Sequence, residues 1–317
     1  ISLGVPPEPI QLYGDADNPR VRGVVDTSLD VTDALHAYGK EVAGQLGGMA
    51  GYVFMSKSPS CGVWRVKVRL DNGQAPKKGR GAYAAAVISR CPNLPVEEEG
   101  RLNDPVLREN FVTRLYVWQR WLALCAEGLS AARLIDFHTR HKYLVMAHSQ
   151  AAYRRLGQLL SHLKGVDLSE VAAEYADELM TALQRRVGAA RHVNVLQHIM
   201  GYLKRSLPAG DKQELLDSME AYRRGDVPMI VPVTLLRHHF RQGPGATWRF
   251  RAAFFHLLSA PPVRVGFAVL EKLLGRQMYK TWLIAQLRGQ PAAALDESAK
   301  SYAAYLLAQR RCEPVTA

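Results

Sequence analysis

The chain has 317 residues, with 41 Lys and Arg against 29 Asp and Glu and 48% hydrophobic residues. That length suggests two domains, each able to bury its own core, and excludes a single small module. The composition excludes a disordered chain, and no apolar run is long enough to span a bilayer.

The charge is unevenly placed. Residues 1–104 hold 12 basic and 12 acidic residues, whereas residues 105–317 hold 29 and 17, so the whole surplus of +12 sits in the second part. A neutral segment joined to a basic one points to a division of labour in which the second part binds a polyanion; a generic basic surface is the alternative. Cys61, Cys91, Cys125 and Cys312 lie far apart and form no CxxC pair. They argue for neither a disulfide framework nor a self-contained zinc site. No secretory segment opens the chain, so the expected location is the cytoplasm, away from membranes. The chain begins at Ile1 in Gly- and Pro-rich sequence, which reads as a truncated start.

Along the chain, Val31, Leu35, Tyr38, Val42 and Leu46 repeat at helical spacing after Asp30, and Gly47-Gly48 ends the pattern. Tyr52-Val53-Phe54-Met55 reads as a buried parallel strand running into the loop Ser56 to Gly62. An irregular alternation follows over 63–70, closed by the turn signal Asp71-Asn72-Gly73. The basic, Gly-rich loop Lys77-Lys78-Gly79-Arg80-Gly81 then opens an Ala-rich helix over 82–90. From Asp104 and Pro105, placed as N-cap and first helical residue, the pattern is helical to about Ala126. Ser130 begins the next helix, and further helical segments cover about 150–163, 168–207, 211–223 and 232–240. Beyond Gly243 come an irregular stretch and two helix-like ones, 265–287 and 291–311. The predicted fold is therefore an α/β N-terminal domain, 1–104, followed by an all-α domain, 105–242, and a helical extension of unassigned role, 243–317.

In Ser58-Pro59-Ser60-Cys61-Gly62 a cysteine sits on a rigid loop directly after a buried strand, among backbone N–H groups able to stabilise a thiolate. It suits a nucleophile or a metal ligand; a free cysteine on an ordinary turn is the plain alternative. That motif, with Gly4-Val5-Pro6 before it and Gly79-Arg80-Gly81 and Leu94-Pro95-Val96-Glu97-Glu98-Glu99-Gly100-Arg101-Leu102-Asn103-Asp104-Pro105 after it, resembles the thiouracil desulfidase domain. The stretch Phe137 to Ser149 resembles the YbgA-like helical domain often fused to it.

The resemblance implies a tRNA 4-thiouridine desulfidase that leaves uridine and releases sulfide. It implies a 4Fe-4S cluster held by three cysteines, with one open, thiophilic iron. Cys61 would be the last of the three ligands and Ser58 a catalytic hydroxyl. The other two cysteines and an acidic residue would precede Ile1, so the chain as given is expected not to hold a normal cluster. Desulfidation of free thiouracil or another small thiocarbonyl compound, and non-catalytic RNA binding, are the alternatives.

Lys77, Lys78 and Arg80 precede a helix N-terminus, a natural anion site suited to a phosphate near the target nucleotide. Arg101 is assigned with them to substrate binding and to the junction between the domains. In the helical domain His138, His141 and His148 share a helix face, with Arg140 and Lys142 beside them and Arg154-Arg155 on the next helix. Further basic pairs occur at 185–186, 204–205 and 223–224, and with Tyr143, Tyr153 and Trp121 as stacking rings this set suits tRNA. Core histidines and solvated arginine faces are the competing readings.

Overall fold

A computed structural model of the chain describes residues 8–70, 74–75, 77–203, 206–242 and 265–267. Gly4-Val5-Pro6, the Asp71-Asn72-Gly73 turn, Lys204, Arg205 and the helix-like stretch 291–311 lie outside the described residues. The chain divides into two compact units, Ile1–Arg108 with Pro261–Ala317, and Glu109–Ala260.

The first unit is α/β. One sheet runs in the order β2 (Arg20–Gly23), β1 (Ile10–Tyr13), β4 (Val66–Arg69), β5 (Lys77–Gly79), with β1 and β4 parallel. A second places β3 (Gly51–Phe54) between β6 (Val96–Glu98) and β7 (Val265–Phe267), all parallel. Tyr52 lies opposite Val96 on one side and Gly266 on the other. All four residues of β3 are buried, as a strand covered on both faces requires. Helices α1 (Thr32–Gln45) and α2 (Ala82–Arg90) pack on each other. Asp30 serves the start of α1 through Oδ1, which accepts from the Thr32 N–H at 2.9 Å.

The second unit is helical at all its described residues apart from connecting turns. It comprises α3 (Pro105–Ala126), which begins in the first unit, then α4 (Ala131–His148), α5 (Gln150–Leu159), α6 (Leu168–Leu183), α7 (Ala189–Met200), α8 (Ala209–Arg224) and α9 (Ile230–Gln242). Trp121, Phe137, Leu156, Tyr175 and Leu179 belong to one buried cluster and Leu196, Leu215, Met219 and Leu236 to another. Asp104 caps α3, accepting from the Val106 N–H at 2.8 Å, and Ser130 caps α4, accepting from the Arg133 N–H at 3.3 Å. Among the described residues no helix is long and apolar enough to cross a membrane.

Three expectations are corrected. The Lys77–Gly79 loop is strand β5, paired antiparallel with β4 so that Lys78 faces Lys67. The segment 168–207 is not one helix, because Gln184 closes α6 and the chain turns before Gly188 begins α7. Val265–Phe267, expected to start a helix, is β7, because pairing with β3 outweighs local helical periodicity.

Candidate active site

Phe54, which ends β3, lies opposite Glu98, which ends β6, so the chain leaves both strands at one edge. Parallel sheets place their sites at that edge. After β3, Ser58 to Gly62 make a single turn. The Ser58 carbonyl accepts from the Gly62 N–H at 2.8 Å, and Ser58 Oγ accepts from the Cys61 N–H at 3.2 Å. Ser58 acts as an N-cap, and Pro59 follows where a missing N–H costs nothing. Gly62 is required by packing, since a Cβ there would stand 2.3 Å from Val66 Cγ2. The start of α2 holds the turn from below. Gly81 N–H donates to the Gly62 carbonyl at 2.8 Å and Ala84 N–H to that of Ser60 at 3.1 Å.

Cys61 is half-buried at the end of a hydroxyl chain: Ser58 Oγ lies 3.0 Å from Ser60 Oγ, which lies 3.4 Å from Cys61 Sγ. Burial pushes the thiol pKa up, the two serine hydroxyls pull it down, and the charge of Glu99 adds a further rise. The buried Tyr52 and Tyr83 hydroxyls meet at 2.7 Å, and a Cys61 thiolate acts on both electrostatically. Burial holds the Tyr52 pKa at about 12, so both phenols are neutral.

Three consecutive carboxylates, which carried no role in the sequence reading, surround this loop. Glu98, 4% exposed, accepts through Oε1 from the N–H groups of Val63 at 2.7 Å and Trp64 at 3.0 Å. Burial raises its pKa, and those two N–H groups oppose the rise. Glu99 Oε2 accepts from the Ser56 N–H and, at 3.0 Å, from Ser56 Oγ. Buried Glu97 is paired with Arg101 Nε at 2.7 Å, and the Arg101 guanidinium lies 4.3 Å over the Trp64 ring. A run of acids closing a short strand after Leu94-Pro95 was the available signal.

The structure thus gathers Ser58, Cys61, Arg80 and Arg101 around one loop, with exposed Arg80 donating from Nε to the Val63 carbonyl at 3.4 Å. Lys78 is exposed on β5, and the Lys77 side chain lies outside the described residues.

In the second unit the predicted residues do not form one cluster. His141 is 1% exposed, donates from Nδ1 to the Phe137 carbonyl at 2.7 Å and stacks on Phe137. His148, 3% exposed, donates to the Arg185 carbonyl at 2.6 Å, and burial lowers its pKa to about 4. His138 meets the Tyr175 hydroxyl at 3.1 Å, and burial lowers its pKa likewise to about 4. Arg140 pairs with Asp136 at 2.7 Å and Arg155 with Glu178, while Lys142 lies 5.2 Å from the Tyr143 ring. Arg154, Arg185 and Arg186 are exposed. Trp121 stacks on Tyr175 inside the core and Tyr143 is buried, so neither is a platform for a base.

Among the described residues no three His, Cys, Asp or Glu side chains gather closely enough to hold a metal ion. Cys91 Sγ is turned to the Ala43 carbonyl at 3.7 Å, Cys125 lies on α3 within the other unit, and Cys312 is outside the described residues. A cluster held by three thiolates therefore does not fit the described residues by themselves, which bring one.

A cysteine on a capped turn, set where parallel strands of an α/β unit end and bordered by buried Glu98, is an arrangement suited to a nucleophilic thiol or a thiolate ligand. Residues 1–99 match the family described as 2-thiouracil desulfurase, and residues 142–250 match a family described as a protein of unknown function, DUF1722. A curated relative, the uncharacterized protein YbgA of Escherichia coli (strain K12), is 27% identical over 150 residues, 47% of this chain and 88% of that one. No solved structure matches the chain significantly. The chain thus joins a thiouracil desulfurase-like region to a YbgA-like helical region, as the resemblance implied.

Proposed function

We propose that the chain removes the 4-thio group of 4-thiouridine in tRNA, replacing C=S by C=O with water and releasing sulfide. The observation that carries the chemistry is Cys61, held beside the Ser60 hydroxyl on a turn within the desulfurase-like region. In one orientation of the hydroxyl chain Ser58 donates to Ser60 and Ser60 to the Cys61 sulfur, stabilising a thiolate. The neutral pair of Tyr52 and Tyr83 adds no charge that would oppose it. Iron–sulfur dependence belongs to the same proposal, with Cys61 as one ligand and no companion for it among the described residues.

The tRNA part rests on charge. The excess of cations lies in residues 105–317, and the ion pairs of Arg140, Arg155, Arg223 and Arg224 are solvent-exposed pairs that a phosphate can displace. The test is to incubate the reconstituted protein with bulk tRNA and follow 4-thiouridine absorbance, which is expected to fall. Full absorbance after incubation with a protein that turns over free 2-thiouracil overturns the tRNA assignment. The second reading, a small thiocarbonyl substrate, is favoured by the family match over residues 1–99 and would then stand.

A further inference from the structure

We propose that Glu98 and Glu99 are positioning residues that grip the Cys61 loop at its two ends and hold it in a backbone conformation it would otherwise leave. Among the described residues Lys57, at φ 62°, and Arg65, at φ 59°, are the non-glycine residues in the left-handed region. Such side chains disfavour that region because Cβ crowds the following carbonyl. Both lie in the segment between β3 and β4, one on each side of Cys61.

Each of the two directly follows a residue tied to a carboxylate. Lys57 follows Ser56, whose N–H and Oγ are held by Glu99; Arg65 follows Trp64, whose N–H shares Glu98 Oε1 with that of Val63. Strained residues persist where surrounding bonds over-determine them, and charge-assisted bonds to the buried Glu98 and half-buried Glu99 carboxylates are of the strong kind. Glu98 and Glu99 are neighbours, and Glu98 is fixed opposite Phe54 by sheet register. The two carboxylates therefore set the span of the loop, and with it the place of Cys61 over α2.

The functional weight of this brace rests on Cys61 being the reactive thiol, but its test does not. Hydrogen exchange at the Gly81 and Ala84 amides reports whether the loop stays docked, because these amides donate to the Gly62 and Ser60 carbonyls. In the full chain Glu98→Ala is expected to speed exchange at both by about tenfold or more while leaving the Val53 amide of β3 unchanged. Glu98→Gln, which keeps an acceptor oxygen, is expected to restore most of the protection.

The decisive arm is strain relief. Glycine adopts the left-handed region freely, so Arg65→Gly is expected to restore docking in Glu98→Ala but not in Glu99→Ala, and Lys57→Gly the reverse. Unchanged exchange at Gly81 and Ala84, equal acceleration at Val53, or rescue without this pairing overturns the proposal. If Glu98→Ala fails to fold, the same comparison with Glu99→Ala and its two glycine partners decides it. Loss of docking in a protein that never desulfidates any thiocarbonyl substrate leaves the brace standing and removes only its catalytic purpose.

Discussion

Gly81 and Ser60 stand so close that a Cβ on Gly81 would lie 2.3 Å from the Ser60 carbonyl oxygen and 2.9 Å from the Cys61 nitrogen. Both are backbone atoms of a turn that is already bonded, so neither can yield cheaply. Gly81→Ala is expected to destabilise the first unit by about 1–3 kcal/mol through overpacking. It is also expected to lower turnover more steeply than Tm, because the displaced atoms belong to the turn that carries the thiol. Thermal unfolding and the rate of loss of 4-thiouridine absorbance from tRNA, measured on the same reconstituted preparation, check both.

The sequence assigns Arg101 to substrate binding and to the junction between the domains, and its contacts give it a further role within the first unit. Its side chain pairs with Glu97, whose own side chain is 3% exposed, and covers Trp64. Removing the half-exposed Arg101 takes the cation from buried Glu97, whose Oε1 still accepts from the Glu98 N–H at 3.0 Å. Arg101→Ala is therefore expected to cost about 2–3 kcal/mol in urea unfolding, and the double change with Glu97→Gln to recover part of it. If Arg101→Ala instead weakens tRNA binding with an unchanged unfolding midpoint, the substrate role is the main one.

His148 is neutral in the folded chain and donates to the Arg185 carbonyl. Its folded pKa, about 4, lies below the ordinary value of 6.5, so between those values the unfolded chain binds the extra proton. Stability is expected to be independent of this group above about pH 6.5 and to fall as the pH drops towards 4, by up to about 3 kcal/mol. His148→Gln should flatten that slope in denaturant titrations at pH 7 and pH 5. An unaltered slope assigns the acid sensitivity to other groups, His138 and His192 first, since burial lowers both.

Ser149 closes α4 and opens α5, its Oγ accepting from the Ala152 N–H at 3.2 Å. Ser149→Ala is expected to cost about 1 kcal/mol, the usual worth of an N-cap, while Ser149→Asp is expected to retain most of it. Urea midpoints of the three proteins check this.

Sequence pattern located α1, α2, β3 and most of the helices because each combines periodicity with a marked start or stop, such as Asp104, Ser130 or Gly47-Gly48. It missed β1, β2 and β6, which are three or four residues long and whose identity comes from partners rather than composition: Arg20-Val21-Arg22-Gly23 becomes a strand only beside β1. The thiol and its capping serine were legible from Ser58-Pro59-Ser60-Cys61-Gly62. The carboxylates that hold the loop were visible only as an acidic run, because nothing local shows that Glu98 reaches back to Val63 and Trp64.

Strand β7 lies beside β3 although roughly two hundred residues separate them, with the helical unit spelled out between. During synthesis β3 waits for β7, the last of the described strands to be made, while the described helices α3 to α9 have already emerged. Among the described elements the sheet of β6, β3 and β7, begun before the helices, is completed after them. A chain stalled on the ribosome before residue 265 would hold α3 to α9 while β3 still lacked its β7 partner.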